Sequence, residues 1–166
     1  MKIERFRKSV PARRQRGVAA IEFAFIFTVM LLVTYGITTF GAVLYTQQVV
    51  SRAAEDGARA VTMLPSKLVA DDPKIQGAVY DSLAAALVVP IERSGNLADR
   101  LAWVKTNTKV NISIGGTDRR ATVSVVYDYS ANRILPVLSL LDTDLWMPNN
   151  LIGQATAVQA TEDPSI

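Results

Sequence analysis

Arg16-Gly17-Val18-Ala19-Ala20-Ile21-Glu22-Phe23-Ala24-Phe25-Ile26-Phe27-Thr28-Val29-Met30-Leu31-Leu32-Val33 is the stretch that decides the fold of this 166-residue chain. From residue 18 to residue 51 the only Asp, Glu, Lys or Arg is Glu22, and Tyr35, Ile37, Phe40, Val43 and Leu44 carry the apolar character onward. A bilayer core about 30 Å thick takes roughly 20 apolar residues in a helix. That length is met between Val18 and about Phe40, so a membrane-spanning helix is the natural reading. The residues before it carry Lys2, Arg5, Arg7, Lys8, Arg13, Arg14 and Arg16 against Glu4, a net +6. Such a cluster stays on the cytoplasmic side and sends the chain beyond the span across the membrane.

This placement disposes of the basic character of the chain. The whole sequence has a net charge of +3, so the part after residue 16 is mildly acidic. Trp103, Trp146 and the tyrosines have no accompanying basic stripe, which argues against nucleic acid as a partner. Absence of Cys and His removes thiolate chemistry, disulfides, the commonest general base and the commonest metal ligand. Gly115-Gly116-Thr117 has neither the Lys nor the strand-to-helix context of a phosphate loop. Asp71/Asp72 and Asp142/Asp144 are carboxylate pairs of the kind that cap helices or sit in solvated turns, too few to hold calcium. No cofactor, no metal and no catalytic residue is therefore expected, and the chain reads as a non-enzyme.

Hydropathy alone does not separate a cleaved from an uncleaved anchor. A secretory signal peptide fits less well, since its apolar core is shorter and ends in a small-residue cleavage site; a soluble core helix is at odds with the flanking positive block. Glu22 adds a constraint. A carboxylate costs about 2.5–3.5 kcal/mol at the centre of a membrane helix. Near the cytoplasmic end it either snorkels to the interface or has a partner.

Read together, Arg16-Gly17-Val18-Ala19-Ala20-Ile21-Glu22-Phe23 resembles the class III signal of type IV pilins and pseudopilins. The resemblance implies a basic leader ending in Gly17, cleavage by a prepilin peptidase, and Glu22 as the fifth residue of a chain that starts at Val18. It also implies that the carboxylate meets the free α-amino group of a neighbouring subunit. A buried charge survives in an apolar bundle when paired. Further along, Leu44-Tyr45-Thr46-Gln47-Gln48-Val49-Val50-Ser51-Arg52-Ala53-Ala54-Glu55-Asp56-Gly57-Ala58-Arg59-Ala60 resembles the segment after the span in TadE-like proteins, minor pilins or pseudopilins of the tight-adherence (type IVc, Flp) pilus system. The implied partners are the prepilin peptidase, other pilins or pseudopilins, the inner-membrane assembly platform and the lipid bilayer. The implied role is in pilus assembly, surface attachment or biofilm formation. The alternative is an uncleaved single-pass inner-membrane protein whose periplasmic domain binds a partner in a secretion or envelope complex.

The expected organisation is a cleaved leader over 1–17, a long helix over 18–64 with its span at about 18–40, and a periplasmic α+β domain over 65–166. No proline interrupts residues 18–64, which allows one helix. Past Ser51 the small residues Ala53, Ala54, Gly57, Ala58 and Ala60 admit a close neighbour, while Arg52, Glu55, Asp56 and Arg59 stand at pairing distance on a wet face. Pro65-Ser66 ends the helix. Asp72 caps a second one with Pro73 at its first position, and its stripe Ile75, Val79, Leu83, Ala86 and Leu87 runs to Pro90. Residues 97–103 can make one further short helix. Then the period falls to two: Val110, Ile112 and Ile114 alternate with polar residues, Gly115-Gly116 turns, and 121–129 alternates again, a β-hairpin. A loop or short helical piece leads to a last strand over about 151–159, placed beside the hairpin. The fold class is α+β, with a three-stranded antiparallel sheet, pilin-like in outline.

Overall fold

The computed structural model describes residues 13–64, 68–86, 88–89, 95–115, 119–135 and 147–159, with side chains from Gly17 onward. Among the described residues are three helices and three strands: α1 (Arg13–Thr62), α2 (Pro73–Ala85), α3 (Leu97–Asn107), β1 (Thr108–Gly115), β2 (Arg120–Asp128) and β3 (Asn150–Val158). The chain divides into two units, Met1–Phe40 and Gly41–Ile166.

The described part of the first unit is the N-terminal part of α1. Its apolar side chains face outward: Val18, Ile21, Phe23, Phe25, Ile26, Phe27, Met30 and Val33 are all exposed. The hydroxyls of Thr28, Thr34 and Thr38 each donate to the carbonyl four residues back at 2.8 Å. A helix satisfies its own backbone, and these threonines satisfy themselves on it, as a hydrocarbon environment requires. Gly17–Thr62 holds a window of mean hydropathy 2.2 and is long and apolar enough to cross a membrane.

The second unit is an α+β domain. Its sheet is antiparallel with order β1-β2-β3. The alternation of Ala121, Val123, Val125 and Tyr127 on the central strand puts all four on one face, and each is essentially fully buried. The flanking strands bring Val110, Ile112 and Ile114 opposite them on one side, and Leu151, Gly153, Ala155 and Ala157 on the other. Burial fades along β1 toward the turn, and Ile114 is 38% exposed. Over this face lie Val50, Ala53, Ala54 and Val61 of α1, Ile75, Val79 and Leu83 of α2, and Val104 of α3, which form one core.

Local chemistry fixes the helix ends. The Asp72 carboxylate accepts the Lys74 N–H at 2.8 Å, with Pro73 at the first helical position. The helix stops at Ala85 because Ala86 is extended; Ala84, not the expected Ala86, completes the buried stripe with Ile75, Val79 and Leu83. Leu87, Pro90, the Pro65-Ser66 break, Gly116-Thr117, Asp142/Asp144 and Trp146 lie outside the described residues. The third helix is longer than the expected 97–103. Asn96 accepts the Asp99 N–H and donates to the Asp99 carboxylate, both at 2.8 Å, a reciprocal cap, and α3 then runs directly into β1 at Thr108. The hairpin turn enters β2 through Arg119, whose φ of 47° places it in the left-handed region.

Candidate functional site

The residues at the start of the span are presented on an unpacked helix. Gly17 is exposed and a Cβ there would meet nothing within 4 Å. Val18 is 67% exposed and Glu22 is also exposed. Four residues apart on a 3.6-residue turn, they share one helix face. Among the described residues Glu22 has neither an ion-pair nor a hydrogen-bond partner. Phe23 stacks on Phe27, ring centroids 5.9 Å apart, on the same exposed surface. The backbone of Arg13, Arg14 and Arg16 is helical; their side chains lie outside the described residues.

The Ala/Gly segment of α1 has the opposite environment. Ala53 and Ala54 are fully buried and Ala58 nearly so. Gly57 is buried too, and a Cβ there would come 2.5 Å from Val79 Cγ2 and 3.0 Å from Val123 Cγ1. Only a bare backbone fits between α2 and the central strand at this point. Arg59 stands outward, its side chain 74% exposed, and reaches Asp56 at 3.9 Å. Asp56 is turned toward α2 instead, accepting a 2.7 Å hydrogen bond from the Ser82 hydroxyl. Arg52 and Glu55 are exposed and form no ion pair among the described residues. Among the described residues the wet face therefore holds one loose pair rather than a charge network.

Three contacts that no motif or spacing in the sequence singles out tie α1 to β3 and its end. Gln47 Nε2 donates to the Ile152 carbonyl at 2.9 Å. Gly153 lies against the Val50 carbonyl oxygen, so close that a side chain there would meet the helix backbone. Gln159, 6% exposed, donates through Nε2 to the Leu64 carbonyl at 2.6 Å, satisfying an acceptor just past the helix end. The one available hint is Gly153, since an isolated glycine in a strand often marks close backbone approach. The glutamines carry no comparable mark, because nothing local distinguishes them from solvent-facing ones.

Residues 17–59 match the family model of TadE-like protein. The TadE-like segment starts at Gly17, contains Val18, Glu22 and Phe23, and runs through the buried Ala53, Ala54, Gly57 and Ala58 to Arg59. The match is consistent with a TadE-like pilin of the tight-adherence system. It leaves out α2, α3 and the sheet. No curated protein and no solved structure matches the chain. Among the described residues one helix, that of the TadE-like segment, is long and apolar enough to cross a membrane, which fits a single-pass membrane protein.

Proposed function

We propose that this chain is a minor pilin or pseudopilin of a tight-adherence (type IVc) pilus, with a structural rather than a catalytic role. In this reading residues 1–17 are a cytoplasmic leader, residues 18–40 cross the inner membrane, and the rest is periplasmic. A prepilin peptidase cuts after Gly17 and releases Val18 as the new N-terminus. The mature helix then joins other pilins or pseudopilins on the assembly platform, and the domain reaches the cell exterior if the subunit enters the filament. A domain this large beyond the helix favours a minor or priming subunit, acting in pilus assembly and through it in attachment and biofilm formation.

The observation that carries the reading is Glu22, a carboxylate without a partner among the described residues on the exposed face of a membrane-length helix, one turn beyond the proposed cleavage point. Leaving it unpaired in lipid is unfavourable by about 2.5–3.5 kcal/mol at the helix centre. A neighbour's α-amino group neutralises it, and proteolysis is what creates that group. The TadE-like match over the same residues supports the assignment. Gly17→Val blocks processing and piliation. Glu22→Ala is processed normally but fails to assemble. Normal pili in both variants would contradict the proposal.

A further inference from the structure

The two edges of the sheet differ in what meets them. The β3 edge is engaged by α1: Gln47 donates to the Ile152 carbonyl, and Gly153 lies against the Val50 carbonyl oxygen. At the other edge, the register shows which backbone groups of β1 point away from the sheet. The Gln159 N–H donates to the Arg119 carbonyl at 3.1 Å, one step beyond the Arg120–Val158 pair. Hydrogen-bonded and non-hydrogen-bonded pairs alternate along an antiparallel ladder. Ala121, Val123, Val125 and Tyr127 therefore bond to β3, while Arg120, Thr122, Ser124 and Val126 bond to β1. Their partners on β1 are Gly115, Ser113, Asn111 and Lys109. Val110, Ile112 and Ile114 are left aiming their N–H and C=O groups outward, where no backbone hydrogen bond meets them among the described residues.

This edge is complementary to itself. Val110, Ile112 and Ile114 share the core face of β1, Asn111 and Ser113 are exposed on the other face, and Lys109 is the strand's single charge. An antiparallel copy of β1 centred on Ile112 matches like with like on both faces: Val110 opposes Ile114, Ile112 opposes Ile112, and Asn111 opposes Ser113. Cross-strand contacts between such side chains are the unit of sheet stabilisation. Lys109 then faces Gly115, so the two lysines lie about 20 Å apart at 3.4 Å per residue, beyond the roughly 8 Å screening length at physiological salt. A slip of one residue sets polar side chains against the core face. A slip of two sets Ile114 against Thr108 or leaves Val110 past the end of the partner strand.

We propose that β1 pairs with β1 of a second copy of this chain, antiparallel and centred on Ile112, joining two three-stranded sheets into one continuous sheet. The outward N–H and C=O groups of Val110, Ile112 and Ile114 supply the main-chain bonds, and the alternating side chains set the register. Val110 of each copy covers the flank of Ile114 in the other, a side chain that is 38% exposed in the single chain. The pairing lies wholly within the α+β domain and holds whether or not residues 1–17 are removed.

Disulfide trapping tests the pairing and its register together. The chain has no Cys, so introduced thiols report without background. Full-length Asn111→Cys and Ser113→Cys, both at exposed positions, are purified in detergent and oxidised separately and as an equal mixture. Across the proposed contact these two positions form a non-hydrogen-bonded pair, with Cα atoms about 4.5 Å apart, inside the range a disulfide bridges. The mixture therefore gives several-fold more disulfide-linked dimer than either variant alone. Gln154→Cys, exposed on the same face of the sheet but on β3, serves as the control for random collision and gives as little dimer as the separate variants. No dimer from the mixture overturns the proposal. A yield from the mixture no greater than that of either variant alone, or of Gln154→Cys, also overturns it, because the contact then has no register on β1.

Discussion

Two stretches of the same helix, residues 17–40 and residues 41–62, share a helical backbone and have opposite side-chain logic. The first presents Phe, Ile, Leu and Val outward with its small residues uncommitted; the second turns Val50, Ala53, Ala54, Gly57, Ala58 and Val61 into a packed core. Helicity is common to both, so the difference lies in what surrounds them. Lipid accepts large side chains on any face, whereas a sheet and a second helix close against α1 only where it is narrow. Glycine makes the contrast sharpest. A Cβ at Gly36 meets nothing, while one at Gly57 collides with Val79 and Val123.

The largest effect belongs to Gly153→Val. There the new side chain meets helix backbone at Val50 and Ser51 rather than a side chain that can yield, so a loss of about 3 kcal/mol or more is expected, at the upper end of overpacking costs. Urea unfolding of the full chain in detergent, followed by tryptophan fluorescence, measures it. Gly57→Val costs about 1–3 kcal/mol in the same assay, because the clash is with the side chains of Val79 and Val123 rather than with backbone. Gly36→Ala leaves the domain's midpoint unchanged; if it destabilises as much as Gly57→Val, the division of α1 into two environments is wrong.

Smaller effects test the clasps. Gln159→Leu leaves the Leu64 carbonyl without its donor and is expected to cost about 1–3 kcal/mol. Asp72→Ala removes the α2 cap for about 1 kcal/mol. The smallest concerns pH. The Ala131 N–H and the Ser130 hydroxyl donate to the Asp128 carboxylate at 3.1 and 2.8 Å and hold its pKa below the ordinary carboxylate value of 3.8. The unfolded chain takes up this proton at higher pH than the folded one. The contribution is therefore whole above pH 3.8 and is lost as the pH falls through the depressed folded value. Asp128→Asn should flatten the acid limb of a stability profile slightly and leave the shape of the neutral region unchanged.

Much of the fold was readable from the chain because the signals are periodic or local. The apolar run after Gly17, interrupted by the single charge of Glu22, marks α1, Asp72-Pro73 marks the start of α2, and the strict alternation from Ala121 to Tyr127 marks the central strand and its buried face. The length of α3 was not legible: residues 104–107 belong to a helix whose only fully buried side chain is Val104, and the switch to β1 at Thr108 has no Gly or Pro to announce it. The hydrogen bonds of Gln47 and Gln159 span 105 and 95 residues and depend on the placement of β3, which no local pattern encodes. For the candidate site the position is reversed. Gly17, Val18 and Glu22 owe their proposed roles to sequence context, and the structure contributes that nothing within the described chain covers or pairs with them.

The intact mass of the protein isolated from its native membrane or pilus tests the central claim most directly. A chain beginning at Val18, alone or with a methylated amine, is the predicted result. A chain that still carries residues 1–17 in the functional assembly would contradict it, because Glu22 would then have no amine to meet.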